Sequence, residues 1–342
     1  MTEKKPLEVL STINLTEHQI ELIKAAHRNI HLVVYSAKDV AEVTPENWQK
    51  AEVLLSSGRQ LPAPDQVPNL RWIQVTYAGI DPALSAPIVH EPGIQTTSAS
   101  GVMVSQMGEY VLMALLMLGH KLPETITLQK ARKWGSNLSK SLQPRELRGS
   151  TVGIVGYGSI GREVARLLYP MGANVLACKR DMMALQDTGF TPAGLGDPMG
   201  NYFKRLYPIE ALKGMLPECD FVVVSLPLTP ETRYLFNAEM FTHFKPGAFL
   251  VNVSRGDLID ENALVQAINL GQVGGAVLDV FSQEPLPTES PLWDLPQVII
   301  TPHTSGASTH LVDDVVALFA ENLRRYVAGD PLYNVVDAEI GY

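Results

Sequence analysis

Cysteine is nearly absent from this chain of 342 residues, which carries only Cys178 and Cys219. The two lie far apart and lack metal-ligand spacing, so neither a disulfide framework nor a zinc site is indicated; both read as buried thiols and no metal is expected. Positive charge is also in short supply: 27 Lys and Arg against 36 Asp and Glu leave a formal net charge of -9. That balance argues against nonspecific binding to nucleic acid or to an anionic membrane, and any anionic ligand must be met by a local basic patch. No apolar run approaches the roughly 20 residues that span a bilayer. The longest, Tyr110 to Leu118, is bordered by Glu109 and reads as a buried helix. The opening MTEKKPLEVL has no apolar core of a secretory signal, so a cytoplasmic location is the expectation.

What the chain does have is a globular composition, 46% hydrophobic and 18% charged, and a length that favours two domains over one. The stretch from Leu147 to Arg180, LRGSTVGIVGYGSIGREVARLLYPMGANVLACKR, organises the rest. Thr151 to Val155 is a β-branched, apolar run suited to a buried parallel strand. Gly156, Gly158 and Gly161 follow with the G-x-G-x-x-G spacing, and an apolar-periodic helix (Ile160, Val164, Leu167, Leu168) then runs to a stop at Gly172 before a second strand, Asn174 to Cys178. The first glycine permits a tight turn, the second lets backbone approach a pyrophosphate, and the third packs the helix on the strand, while helix N–H groups attract the anion. The segment Gly156, Tyr157, Gly158, Ser159, Ile160, Gly161 is therefore a candidate dinucleotide site. At the end of the second strand stand Lys179 and Arg180, where an acid would select the ribose of NAD. Two cations attract a 2′-phosphate, which favours NADP(H) and leaves NAD(H) possible, with Asp181 as the ribose ligand in that case.

Before this core, short strand candidates alternate with helical stretches: Leu7 to Leu10, a helix led by Thr16, Ile30 to Tyr35, Val53 to Leu55 and Trp72 to Val75. The alternation predicts a parallel α/β sheet with its own core. The turn Thr76 to Asp81 follows a strand and offers backbone N–H groups that could hold a carboxylate, but taken alone it reads first as an ordinary strand-end turn and needs support from elsewhere. A long helix is expected over Gln106 to Leu122, ending at Pro123. Lys130, Arg132 and Lys133 read as a solvated basic cluster.

After Arg180 the pattern lapses into a Gly-, Pro- and Met-rich segment that runs to about residue 207. Such a segment is expected to cover the adenosine end of the cofactor, with Lys204 and Arg205 as possible further phosphate contacts, or else to be surface decoration. Strands resume at Asp220 to Leu226, Phe249 to Val253, Gly275 to Val280 and Val298 to Thr301. Three polar residues follow the later strand ends, where ligands of open α/β sheets bind: Arg255, Glu284 and His303. Reduction of a 2-oxo acid needs a cation for carboxylate and carbonyl, a proton donor for the developing alkoxide, and a group that favours the charged donor. The three residue types fit those roles, though each alone has a bland explanation as a salt bridge, a surface acid or a strand-end histidine.

Taken together, GYGSIG, PLTPETRYLFNAEMF, KPGAFLVNVSRGDLIDENAL, GGAVLDVFSQEPLP and TPHTSGAS make the chain resemble the D-isomer-specific 2-hydroxyacid dehydrogenases over nearly its whole length. The resemblance implies two Rossmann-like or flavodoxin-like parallel-sheet domains of the α/β class with an interdomain active-site cleft. A substrate domain, residues 1–110 completed by 308–342, would flank a dinucleotide domain, 111–307. It implies Arg255, Glu284 and His303 as catalytic residues, Ala78 and Gly79 with Arg255 as substrate ligands, Asp279 at the nicotinamide carboxamide, and Leu226, Pro227, Thr232 and Val253 along the cofactor. A homodimer acting on a small 2-oxo or 2-hydroxy acid, with neither nucleic acid nor membrane as partner, goes with it. GVMVSQMGEY and the NVVDAEIGY tail are most similar to the NADPH-using glyoxylate/hydroxypyruvate reductases of the family. Glu284 disfavours formate dehydrogenases, Ala78 disfavours phosphite dehydrogenases, and Val102 stands where D-lactate enzymes have tyrosine. The absence of a domain after Tyr342 disfavours long-form phosphoglycerate dehydrogenases. The alternatives are an NAD-dependent D-2-hydroxyacid or 3-phosphoglycerate dehydrogenase, with Arg59 or the 130–133 cluster at the far end of the substrate, and an NAD(H)-sensing corepressor-like protein.

Overall fold

The computed structural model describes residues 5–36, 40–134 and 142–339. They fall into two compact units: Met1–Met103 with Thr188–Pro192 and Ser308–Tyr342, and Val104–Asp187 with Ala193–Ala307.

The first unit is built on strands β1 (Leu7–Ser11), β2 (Ile30–Val34), β3 (Val53–Ser56), β4 (Trp72–Val75) and β5 (Gln95–Thr97), all parallel in the order β2-β1-β3-β4-β5. Both faces of this sheet are covered, which is why β3 and β4 are buried at every position and mostly apolar instead of alternating, with Ser56 and Gln74 the polar exceptions. Leu54 and Ile73 join Trp48 and Leu70 in one core, while Val53, Leu55 and Trp72 join Ile23, Phe319 and Leu323 in the other. Helix Glu17–Ala26 starts where Thr16 and Gln19 close a reciprocal capping box, and it packs against the C-terminal helix Leu311–Ala328.

The second unit holds strands β6 (Thr151–Val155), β7 (Asn174–Lys179), β8 (Arg205–Pro208), β9 (Phe221–Val224), β10 (Ala248–Asn252), β11 (Val273–Leu278) and β12 (Val298–Ile300), parallel throughout in the order β12-β11-β10-β9-β6-β7-β8. The chain winds one way from β6 to β8 and the other way from β9 to β12. The direction reverses between β6 and β9, and the crevice at the carboxyl end of that junction is where open α/β sheets take ligands. Both sheets are thus of the expected α/β, all-parallel class.

Two expectations are corrected here. The helix foreseen over Gln106 to Leu122 is Val104–Gly119, and a separate helix, Leu122–Lys130, begins with Pro123 in its first turn. Lys121 between them is left-handed at φ 55°, so Pro123 opens a helix and does not close one. The two axes differ by 63°, and no single helix among the described residues is long and apolar enough to cross a membrane. Lys204 and Arg205, offered as phosphate contacts, stand at the wrong end of the sheet. Arg205 opens β8 opposite Leu176, three residues before the carboxyl end of β7, and the Lys204 N–H reaches back to Val175 O. The Arg205 guanidinium is taken by the Tyr207 hydroxyl and Glu218.

Candidate active site

The glycine turn lies between β6 and helix Ser159–Leu168, and each glycine has a distinct steric reason. Gly156 has φ +109°, and a Cβ there would stand 2.6 Å from Ser225 O, so the turn needs glycine on both counts. A Cβ on Gly161 would come 2.2 Å from Gly156 O and 2.9 Å from the Ile154 side chain, because the helix rests on the strand. Around Gly158, by contrast, a Cβ would meet nothing within 4 Å. Its backbone is extended, at φ -89° and ψ -163°, which any residue adopts, and its N–H has no protein acceptor among the described residues. A cradle of this shape, open over the helix N-terminus, fits a pyrophosphate.

Tyr157, expected along the cofactor, has both its donors engaged within the protein. It is buried beneath the turn, its N–H bonds to Cys178 O, and its hydroxyl donates to Asp197 over 2.7 Å. It supports the turn and has no donor left for a ligand. Ser159 and Ile160 open the helix over Gly156 to Gly161.

At the end of β7 the two cations are used differently. The Lys179 ammonium donates to Ala184 O, closing a turn whose N–H groups at Met183 and Ala184 are held by Asp181 Oδ1. Burial, reinforced by the nearby Arg162 charge, lowers the Lys179 pKa. Asp181 is thereby occupied by its own turn. Arg180 lies toward the loop after β9: the Glu231 carboxyl there is held below the ordinary range by the Thr229 hydroxyl chiefly, and also by the Arg180 charge. In that loop Leu226 and Pro227 follow β9, and the Thr232 hydroxyl spans it by donating to Pro227 O at 2.8 Å and accepting the Thr229 N–H. Thr232 shapes the loop beside the glycine turn, where Ser225 Oγ also bonds Gly156 O.

The candidate catalytic residues come from three successive strand ends. Arg255 follows β10, and its segment is braced by Asn252, whose amide donates to Arg255 O and whose Oδ1 accepts both the N–H and the hydroxyl of Ser254. Val253 is buried between them, bonded to Val224 O. The next residue, Gly256, has the Phe281–Ser282 backbone pressed against it, so that a Cβ would lie 1.8 Å from Phe281 C. Only glycine lets the loops after β10 and β11 touch in this way. Glu284 ends the second of these loops. Its Oε1 accepts the Phe281 N–H at 3.0 Å, which turns Oε2 to His303 Nδ1 at 2.8 Å. A carboxylate only accepts, so Nδ1 carries the proton and Nε2 faces away from the pair. His303 itself is left-handed at φ 52°, an uncommon backbone for a residue with a Cβ, held by bonds from its N–H to Asp279 O and Thr301 O. Asp279 is fully buried, and its carboxylate accepts from Thr301 Oγ1, Thr304 N and Ser305 N. What it visibly does is fasten the His303 segment, a role that no local sequence signal announces.

In the first unit, the turn after β4 carries Ala78 and Gly79, whose N–H groups have no protein acceptor among the described residues. The Arg59 guanidinium lies over the Tyr77 ring, 5.8 Å from its centroid. Cys178 and Cys219 are buried, and burial pushes both thiols up to about 12, away from any nucleophilic role.

Residues 112–305 match the family model for the D-isomer specific 2-hydroxyacid dehydrogenase, NAD binding domain. The chain is 30% identical over 293 residues to glyoxylate/hydroxypyruvate reductase B of Pectobacterium carotovorum, covering 85% of this chain and 87% of that protein. A D-isomer specific 2-hydroxyacid dehydrogenase from Xanthobacter autotrophicus, solved in complex with NADPH and MES, shares its structure with a TM-score of 0.80 at 30% identity, over 98% of this chain and 100% of the other. The NADPH-dependent glyoxylate/hydroxypyruvate reductase of Sinorhizobium meliloti, solved with NADP and sulfate, gives 0.77 at 26% identity, over 99% of this chain and 100% of the other. With a family match across more than half its length, and with relatives that align over most of the rest, the chain belongs to the D-isomer-specific 2-hydroxyacid dehydrogenases, NAD(P)-dependent oxidoreductases that act on CH–OH donors.

Proposed function

We propose that this chain reduces a small 2-oxo acid, glyoxylate or hydroxypyruvate, with NADPH as the favoured donor. The observation that carries the reading is the His303–Glu284 pair, 2.8 Å apart on a left-handed backbone, with the Arg255 loop beside it. The nucleotide's pyrophosphate is assigned to the open cradle over Gly158 and its 2′-phosphate to Arg180, with Lys179 holding the adjoining turn. Relatives of the same kind that were solved with NADPH or NADP support that choice of cofactor. When bound, the nicotinamide supplies the hydride that the carbonyl carbon of the substrate accepts.

The chain's own residues do the rest. Arg255 holds the carboxylate and polarises the carbonyl by charge-assisted hydrogen bonds, and the Ala78 and Gly79 N–H groups, which have no protein acceptor among the described residues, are assigned to substrate binding. His303 enters the reaction as imidazolium and gives its Nε2 proton to the carbonyl oxygen as negative charge develops there. Glu284 keeps Nδ1–H in place and stabilises the charged ring; afterwards the ring is neutral and the product is the hydroxy acid. Oxidation of the hydroxy acid runs these roles backwards.

The second reading, a D-2-hydroxyacid or 3-phosphoglycerate dehydrogenase, rests on Arg59 over Tyr77 at the edge of the Ala78–Gly79 turn, a cation suited to a distant phosphate. The proposal also includes a homodimer. On helix Val104–Gly119 the face with Val111, Ala114, Leu115 and Leu118 is buried, leaving Met113 exposed and Leu112, Leu116 and Met117 half-buried beside it. A light-scattering mass of one chain would overturn that part. The deciding experiment is steady-state reduction of glyoxylate, hydroxypyruvate and a phosphorylated 2-oxo acid, each with NADPH and with NADH. Fast turnover of the unphosphorylated acids with NADPH supports the proposal. Preference for the phosphorylated acid selects the second reading, and nucleotide binding without turnover of any 2-oxo acid points to a sensor.

A further inference from the structure

The carboxyl end of β11 grips the histidine segment in an unusual way. Three consecutive N–H groups converge on one residue: His303 N on Asp279 O at 2.9 Å, Thr304 N on Oδ1 at 2.8 Å and Ser305 N on Oδ2 at 2.8 Å. Their convergence requires the chain to turn sharply at the first of the three, and that is where the backbone becomes left-handed, at His303. The orientation of the imidazole therefore depends on where the Asp279 carboxylate is held. Among the described residues Asp279 has no ion-pair partner; its backbone is tied by its N–H to Asn252 O, and the contact left to hold its carboxylate is a hydroxyl. Thr301 Oγ1 lies 2.5 Å from Asp279 Oδ1, and Tyr110 Oη lies 2.5 Å from Thr301 Oγ1. Because the carboxylate accepts only, Thr301 spends its proton on Asp279 and must itself accept from Tyr110. Every proton in the chain Tyr110 to Thr301 to Asp279 thus has one direction.

We infer that Tyr110 and Thr301 are positioning residues for the proton donor: the phenol, carried on helix Val104–Gly119, orders the Thr301 hydroxyl, which fixes Asp279 and through it the angle at which His303 meets the substrate. Tyr110 suits the part because its helix is anchored on both sides by buried Val111, Ala114 and Met107. Burial also pushes its hydroxyl up to about 12, so that it remains a donor throughout the working pH range. The inference rests on the reading of His303 as the acid.

The test uses Tyr110→Phe, Thr301→Val and Thr301→Ser in the full chain, with the 2-oxo acid that the wild type reduces fastest. Tyr110→Phe keeps the ring and removes the donor, and kcat is expected to fall about tenfold; Thr301→Val breaks both links and should lose about a hundredfold, the scale on which small misplacements of reacting groups act. Thr301→Ser restores the hydroxyl and should recover most of the rate. The KM for NADPH should stay within about twofold throughout, and the solvent isotope effect on kcat should rise in the slow variants as proton transfer becomes limiting. A second readout needs no nucleotide: the His303 ring signal in nitrogen-15 NMR, identified by its loss in His303→Ala, should move or broaden in Tyr110→Phe. Unchanged kcat and an unchanged ring signal in Tyr110→Phe would overturn the inference, as would a rise in nucleotide KM with kcat kept. If Thr301→Val does not fold, Tyr110→Phe alone decides. A wild-type protein that reduces no 2-oxo acid would instead remove the catalytic reading, and the ring signal would then report whether Tyr110 orders His303 at all.

Discussion

Alanine placed in turn at Gly156, Gly158 and Gly161 should separate folding from nucleotide binding, because the three sites differ in what surrounds the added methyl and in whether the backbone tolerates it. At Gly161 the Cβ would stand 2.2 Å from a backbone carbonyl that cannot swing aside, and 2.9 Å from the Ile154 side chain. Overpacking of that kind costs about 1–3 kcal/mol. At Gly156 a clash at 2.6 Å with Ser225 O adds to a φ of +109°, and the conformational part contributes about 1–2 kcal/mol more. For a unit of this size each kcal/mol moves Tm by about 2–4 °C, so Gly161→Ala should lose several degrees and Gly156→Ala more. At Gly158 the methyl meets open space from an extended backbone, and the entropy removed from the unfolded chain stabilises by about 0.4–1 kcal/mol. Its melting temperature, measured without nucleotide, should therefore match or slightly exceed the wild type. The same methyl projects into the cradle assigned to the pyrophosphate, so NADPH affinity, read by fluorescence titration, should fall about ten- to hundredfold, or about 1.4–2.7 kcal/mol. A Gly158→Ala protein that binds NADPH like the wild type would refute the assignment. One that melts as early as Gly161→Ala would refute the steric reasoning.

Three further outcomes are expected. His303→Ala should lower kcat for 2-oxo acid reduction by about 10²–10⁴-fold while NADPH affinity stays within about twofold; equal loss of binding would make the histidine structural. Arg180→Ala should weaken NADPH about tenfold or more and leave NADH nearly unaffected, whereas Lys179→Ala, whose ammonium already serves Ala184 O, should shift the ratio less; equal titration changes for both nucleotides would remove Arg180 from the 2′-phosphate. Asp220 is lowered below its ordinary value near 3.8: burial opposes its charge, but the Lys245 ammonium, the Thr151 N–H and Arg145 outweigh burial. A lowered folded pKa gives stability that is complete above the ordinary carboxylate range and is lost as pH falls through the folded value. Asp220→Asn should accordingly be less stable than the wild type at pH 7 in denaturant titrations, with the gap narrowing below pH ~4; a gap independent of pH would mean the charge contributes nothing.

The strands that were legible in the sequence are the central ones, buried on both faces, together with two edge strands that are apolar runs, Ile30–Val34 and Val298–Ile300. Trp72–Val75 and Thr151–Val155 fall within the boundaries expected for them, since a mainly apolar, β-branched or aromatic run beside a charged or glycine flank is what a central parallel strand requires. The two that escaped, Gln95–Thr97 and Arg205–Pro208, are edge strands. Paired on one side only, they need no apolar run, and the proline and polar residues they carry are the features that argue against a strand. The break near residue 120 was hidden for the opposite reason: apolar periodicity continues through it, and the kink resides in the backbone of Lys121, which no pattern of side chains records. That Arg255, Glu284 and His303 each follow a strand end was legible, because the later strands of the parallel sheet read clearly. Tyr110, Asn252 and the bracing function of Asp279 were not, because their partners are set by folding across the sheet and leave no spacing to read.

The segment after Arg180 shows what such unread contacts accomplish. A stretch with no ladder must satisfy its backbone groups some other way, and here side chains of the glycine-turn helix do so. Arg162, almost wholly buried, donates to Leu185 O and Asp197 O and faces Asp187 at 3.7 Å; Glu163 accepts the Gly196 N–H. Asp197 in turn collects the Tyr157 hydroxyl and the N–H groups of Asn201 and Tyr202, and Phe203 meets the Tyr157 ring edge to face at 5.2 Å. A buried guanidinium left without these carbonyls would cost several kcal/mol, so the helix and the segment hold each other in place. One face of that helix therefore presents its N-terminus to the candidate phosphate cradle, while the residues immediately after Gly161 fix the segment that continues from Arg180. The glycine motif and the segment after Arg180, which look unrelated in sequence, share a single structural support, and a substitution at Arg162 should disturb the surroundings of Arg180 before it disturbs His303.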